Sequence, residues 1–413
     1  MGEHVPLPSD VRHAGWPALL LASLFSVVTS VGSFYFTLYF RNELGFSGTQ
    51  IGVLFAVQAV TGLLAAIPTG VSNDRITSRT LVALALIGQS VGLALMAVVD
   101  SFVPVLAVFF IGMLASAVFK LSLDVQVLKR GTGDRMPGQI GSFQAARFLG
   151  LAVGAVVAGY VLATLDYVPA FLLAAAACAA LLPLTSRLQP TPLSRARLVD
   201  YKADYARPRV LLFCLWLVLF ATHWGAEFTC YSLFLQDNLG LSMTQMGWYM
   251  SSEFVAILVT ALTLGFPLRR HADGQAVFAF GLIASGAGHI GMVVDSVPVS
   301  CAFRVLHGCG DGAMFMVFYV GIFRIFSLER MGGNFGVVNM MTMAGMVIGS
   351  IIYGTLGASV GYEVPLWGSG LVTVGLAAPV LLSRPAAEPA VSAGFSQTVD
   401  SASAAQGDSR VPG

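Results

Sequence analysis

The chain has 413 residues, 56% of them hydrophobic and only 10% charged, with a formal net charge of +1. Soluble domains carry about a quarter charged residues, so an ordinary soluble protein is excluded. So is a nucleic-acid binder, which would need a basic patch, and no G-x4-G-K-[ST] loop is present for ATP hydrolysis.

Residues 1–13 form a polar tail, without the basic-then-apolar order of a cleavable signal. Apolar runs long enough to cross a bilayer, about 17–25 residues, follow near 14–40, 49–71, 79–98, 103–128, 139–163 and 168–186. Six more lie near 209–235, 243–267, 275–294, 298–324, 334–356 and 364–383. Lipid offers no hydrogen-bond partners to backbone, so each run should be helical. The expected fold is an all-α integral membrane protein with twelve transmembrane helices. Its parts are a tail (1–13), a six-helix bundle (14–186), a basic linker (187–208), a second bundle (209–384) and a disordered tail (385–413). The linker holds Pro190, Pro192, Pro208 and five cations with no apolar run, and reads as a solvated tether.

Alternating the loops from a cytoplasmic N-terminus leaves only Arg41 on the outer side. Lys120, Arg147 and Arg304 lie within spans, and the other 18 of the 22 Lys and Arg fall at the cytoplasmic face. The positive-inside rule therefore predicts both termini in the cytoplasm. The short loops suit a bacterial cytoplasmic membrane, and a monomer is expected.

The halves repeat at an offset of 195. Leu44-Gly45-Phe46-Ser47-Gly48-Thr49-Gln50-Ile51-Gly52 matches Leu239-Gly240-Leu241-Ser242-Met243-Thr244-Gln245-Met246-Gly247. Asp134-Arg135-Met136-Pro137-Gly138 matches Glu329-Arg330-Met331-Gly332-Gly333, and Gly150, Gly154 and Gly159 recur as Gly345, Gly349 and Gly354. Duplication of a six-helix unit makes the two copies parallel.

Two parallel six-helix repeats around a charged linker resemble the major facilitator superfamily, over about residues 14–384. The loop between the second and third spans fits that family's G-x3-D-[RK]-x-G-x-[RK] signature at Gly70, Asp74, Arg75 and Arg79, with Thr77 in place of a glycine. The second half keeps Gly265 and an arginine there but lacks the aspartate. The family's R-x-x-x-G pattern appears in the tenth span as Arg304 and Gly308 rather than in the fourth. The resemblance implies a central cavity lined by spans 1, 4, 7 and 10 and opened alternately to each side. It implies no cofactor and no enzymatic activity.

The unusual polarity lies in those spans. Ser26, Ser30, Ser33 and Thr37 form a hydroxyl stripe on the first, a candidate cavity wall or a helix-packing face. The fourth holds Lys120 and Asp124, and the seventh His223 and Glu227. In the tenth, Arg304, His307 and Asp311 fall at i, i+3 and i+7, on one face. Ionisable groups in hydrocarbon normally face a cavity or one another. Helical rise places Glu227 and Arg304 at similar depth, and His223 and Asp311 near the midplane. The expected contacts are Glu227–Arg304, with Asp311 meeting His223 or His307. An acid beside a histidine is a candidate proton-carrying site, and a permanent ion pair between spans 7 and 10 is the alternative. Lys120, joined by Arg147 if that side chain does not snorkel to the interface, is the candidate anion attractant. Family resemblance implies a cytoplasmic latch in which Asp124 meets Arg75 or Arg79. Glu253, aligned with Gln58, borders the expected cavity.

The expected function is a secondary transporter of a small polar or anionic solute by alternating access, coupled to protons. The first alternative is transition-metal transport (iron, for example), using His223, Glu227, Cys230, His307, Cys309 and Asp311 as ligands. The second is a facilitator-like assembly factor or sensor that no longer transports.

Overall fold

The computed structural model describes residues 15–131, 135–194, 198–265 and 274–382. The two tails, Asp134 of the repeated loop and the loop holding Arg269 and Arg270 lie outside the described residues. Every regular element among them is helical. The first bundle comprises α1 (Trp16–Glu43), α2 (Gln50–Arg75), α3 (Ser78–Met96), α4 (Phe102–Arg130), α5 (Met136–Leu165) and α6 (Tyr167–Thr185). The second begins with α7 (Pro208–Tyr231) and α8 (Met243–Leu264). It continues through α9 (Gly274–Gly291) to α10 (Val297–Ile325), α11 (Leu328–Val360) and α12 (Glu363–Leu382). Eleven of these are long and apolar enough to cross a membrane. The twelfth, α9, is 18 residues long and includes Gln275 and His289. Outward-facing Leu64, Leu84, Leu172 and Ile351 are more than half or nearly half exposed. An apolar exterior of that kind marks a lipid-facing surface.

The duplication is visible atom by atom. Both α1 and the chain after α7 end in a π-helical turn, Tyr39–Glu43 and Phe234–Asn238. Each turn leads to a left-handed glycine, Gly45 at φ 64° and Gly240 at φ 63°. A side chain would strain that conformation, and the next helix then starts at Ser47 or Ser242, each paired with a glutamine three residues on. Such a reciprocal cap satisfies backbone N–H groups at the start of a helix. Arg41 donates to Gln236, its own repeat partner, so these two residues lie where the halves' two-fold axis emerges.

Small residues set how closely the helices pack. Gly150 on α5 lies against the Ser23 carbonyl of α1, and Gly345 on α11 lies against the Val218 carbonyl of α7. Gly154 and Gly349 repeat the arrangement against Val27 and Thr222. Every one of these contacts is conserved at the 195-residue offset. Without a solvent-driven hydrophobic force in lipid, such close packing holds helices together. Between the halves, α5 packs on α8 and α2 on α11, as a two-fold relation requires.

Candidate functional site

A cavity of about 370 Å³ lies between the two bundles. Its wall includes Phe36 and Thr37 near the end of α1, Phe55 and Gln58 early in α2, and Gln89 and Leu93 in α3. Those positions are all in the half of the molecule away from the linker. Deeper in, it reaches Lys120 and Arg147 on one side and Glu227, Glu253, Arg304 and Asp311 on the other.

The second bundle supplies a buried polar cluster. Arg304 contacts both Glu227 and Glu253, and its guanidinium sits 4.0 Å from the ring centroid of Tyr231. His307 Nε2 lies 3.2 Å from Glu227 Oε1 and 3.7 Å from Asp311 Oδ2. His223 Nε2 is 3.5 Å from Asp311 Oδ1. Trp224 Nε1 and Ser285 Oγ each donate to Asp311, both at 2.7 Å. His289 of α9, which the sequence reading passed over, places Nε2 3.1 Å from Glu227 Oε1. Four helices contribute, because the glycines of α10 permit it: Gly308 abuts Glu253 of α8, and Gly310 abuts Ser285 of α9.

The first bundle contributes a smaller constellation. Asp124 accepts from Arg147 at 2.5 Å, and Arg147 also donates to Tyr319 Oη of α10 at 3.2 Å. Lys120 is exposed within the cavity. It makes no hydrogen bond or ion pair among the described residues.

At the linker end, Asp74 of α2 is the centre of a lock. Its carboxylate pairs with Lys129 of α4 at 2.7 Å, both side chains being 1% exposed. It accepts from the Gly332 and Gly333 amides at 3.0 and 2.7 Å, and from Tyr201 Oη at 2.8 Å. The two amides belong to the first turn of the α11 segment Met331–Val360, where backbone N–H groups lack helical partners and favour an anion. Tyr201 belongs to a linker helix, Leu198–Tyr205. That helix is anchored further by Asp204, which accepts from Arg330, Asn334 and Arg207, and by Tyr205, which donates to the Asn334 carbonyl at 2.7 Å. The linker is therefore docked against both bundles here rather than acting as a plain tether. A run of five cations concealed the carboxylate and tyrosines that do the docking.

Burial raises the Asp204 pKa, but hydrogen bonds from Arg330 and Asn334 and the charges of Arg330 and Arg207 outweigh it and hold the carboxyl below its usual value. A depressed folded pKa contributes stability above the unfolded value, about 3.9, and loses it as pH falls through the folded value. The protection of the 198–205 amides, measured against their intrinsic exchange rates at each pH, is expected to fall on acidification below about pH 4. In Asp204→Asn protection should be low already at neutral pH and unchanged across that step.

The sequence profile of the Major Facilitator Superfamily matches residues 18–235 and 215–406. The chain belongs to the major facilitator superfamily. Among solved structures it resembles the human organic anion transporter MFSD10 (TETRAN), with a TM-score of 0.70 at 17% identity over 90% of this chain and 99% of that one. It also resembles a mutant form of the nucleoside transporter NupG, with a TM-score of 0.67 at 17% identity over 89% of this chain and 99% of that one. At such identity the likeness shows the fold alone. No curated protein matches the sequence.

Within this facilitator the predicted residues divide. Glu227, Arg304, Asp311, Lys120 and Arg147 border the cavity. His223 and His307 do not: each is 1% exposed or less and stands behind the wall, because their short, stiff rings stay within the α7–α9–α10 packing. Ser30 is likewise not a cavity residue. Its hydroxyl donates to the Ser26 carbonyl at 2.6 Å, and it fills the space beside Gly154. The Ser33 side chain lies outside the described residues. Asp124 meets neither Arg75 nor Arg79, whose side chains are exposed; Arg147, nearer and less solvated, takes it instead. Gly70 packs on Gly332 and Gly336 where α2 meets α11. Of the two candidate thiol ligands, Cys230 donates to the Tyr353 carbonyl, and neither belongs to the His–carboxylate groups.

Proposed function

We propose that this protein is a secondary transporter that moves a small polar or anionic solute through the inter-bundle cavity by alternating access. Lys120 carries the reading: a cation with no hydrogen bond or ion pair among the described residues, presented to a cavity inside an apolar bundle, is costly unless a ligand anion offsets it. Arg147 stands beside it, already neutralised by Asp124. The arrangement of the two ends supports alternation. The cavity opens among Phe36, Phe55, Gln89 and Leu93 in the half away from the linker, while Asp74, Lys129, Tyr201 and the α11 amides close the linker end. The loop charges support placing that end in the cytoplasm, and the short loops suit a bacterial cytoplasmic membrane. Three carboxylates, Glu227, Glu253 and Asp311, face one guanidinium in the cluster. The resulting excess of negative charge supports coupling to a cation, a proton on the sequence reading.

The test is a panel of organic anions, organic cations and neutral metabolites, scored by ligand-induced stabilisation of the purified protein. An anion that stabilises the wild type should bind Lys120→Ala about ten- to a hundredfold more weakly, the worth of one charge-assisted hydrogen bond. Stabilisation by cations or neutral compounds alone, equal in both proteins, would remove the anionic reading.

A further inference from the structure

We propose that the Nε2 atoms of His289 and His307 form, with the Glu227 carboxylate, a binding site for one divalent first-row transition-metal ion. The inference concerns binding and stands apart from whichever solute the cavity carries.

The tautomers carry the argument. His307 Nδ1 lies 3.0 Å from the Ser285 carbonyl, and His223 Nδ1 lies 2.5 Å from the Phe220 carbonyl. A carbonyl only accepts, so both Nδ1 atoms carry hydrogen. His289 Nδ1 is 2.9 Å from Ser369 Oγ, whose own hydrogen is committed to the Leu366 carbonyl at 2.9 Å. That Nδ1 therefore donates too. In its neutral form each ring therefore presents an Nε2 lone pair to carboxylate oxygens, which are themselves acceptors, so a proton or a metal ion must stand between them. His223 Nε2 and His307 Nε2 are fully buried and have no hydrogen-bond partner among the described residues. Lone pairs do not converge on carboxylates in a buried site without something positive between them.

The spacing fits a metal ion. Ligand atoms held at about 2.1 Å from one ion lie roughly 3.0 Å apart at octahedral angles and roughly 3.4 Å at tetrahedral ones. His289 Nε2 and His307 Nε2 lie 3.1 and 3.2 Å from Glu227 Oε1. The ligand atoms of Glu227, His289 and His307 are all within 4.8 Å of one another, and the neighbouring His223–His307–Asp311 group is a separate set that shares only His307. Hydrogen-bonded Nδ1 atoms are the usual support behind metal-ligating histidines. Two imidazoles select a transition metal over calcium or magnesium, which take oxygen ligands.

Charge agrees. Arg304 is shared by Glu227 and Glu253, so with Asp311 the cluster holds three carboxylates against one guanidinium and has two negative charges left to balance a dication. Glu227 and Asp311 also line the cavity, which gives an ion a route in.

The experiment uses the full chain, purified in detergent, treated with chelator and desalted. Zinc(II) binding is followed by calorimetry and cobalt(II) binding by its visible ligand-field absorption. The wild type is expected to bind close to one equivalent, with cobalt bands of a low-coordinate nitrogen and oxygen site. His289→Gln should weaken binding at least tenfold, and Ser369→Ala, which removes only the support of a ligand, about ten- to a hundredfold. Cys309→Ser should bind as wild type does. Unfolding of each metal-free variant, matched to that of metal-free wild type, separates lost ligation from lost fold. Absence of binding by the wild type would overturn the proposal and leave protons as the balancing charge. Binding of undiminished affinity in both His289→Gln and Ser369→Ala would also overturn it, placing the ion elsewhere.

Discussion

Arg304→Gln is expected to destabilise the protein by about 3–5 kcal/mol, the cost of removing one partner from a buried ion pair. The guanidinium is held between Glu227 and Glu253 and lies over Tyr231. A glutamine cannot neutralise either carboxylate, and both remain among apolar helices. Equilibrium unfolding in detergent measures the loss. The double variant Arg304→Gln with Glu253→Gln should recover part of it, since one of the two unmatched charges goes while Glu227 remains. A single variant as stable as wild type, within about 0.5 kcal/mol, would mean that the cluster does not hold these charges in this arrangement.

Asp74→Ala is expected to release the linker end. It strips Lys129 of its counter-charge, leaves the first amides of the α11 helix without an acceptor, and removes the bond that ties Tyr201 to α2. Lys129 keeps the carbonyls of Asn73 and Pro192, so its loss is of charge pairing rather than of every partner. About 3 kcal/mol against the closed linker end corresponds to a shift of roughly a hundredfold in population. Spin labels at the exposed positions Arg79 and Glu329 would report it as a longer and broader distance distribution. An unchanged distribution would show that packing of Gly70 against Gly332 and Gly336 closes this end without the carboxylate.

The repeat explains which parts of the site were legible. A residue that departs from its counterpart 195 positions away marks where one bundle does something the other does not. His223, Glu227, Arg304, His307 and Asp311 stand opposite Val28, Gly32, Phe109, Gly112 and Ser116. Their charge in an apolar run was enough to single them out. His289 stands opposite Ala94, and Ser285 opposite Ser90. A position-by-position comparison of the halves would have found His289, whereas reading α9 for hydrophobicity alone did not. Ser285 carries no such signal, and Ser369, although it stands opposite Ala174, does not announce a role, because a hydroxyl can satisfy itself on its own helix almost anywhere.

The sequence alone determined the twelve spans, the parallel duplication and the residues too polar to face lipid. Backbone in a bilayer has one local solution, the helix, and a fixed offset survives in the order of the residues. Tertiary structure alone decided who meets whom: Asp124 with Arg147 rather than Arg75, Ser30 with Gly154 rather than solute, and the linker's Tyr201 with Asp74. A helix fixes the direction of each side chain relative to its own axis. Rotation and depth relative to the neighbours come from glycine contacts between helices, and those contacts join residues far apart in the chain.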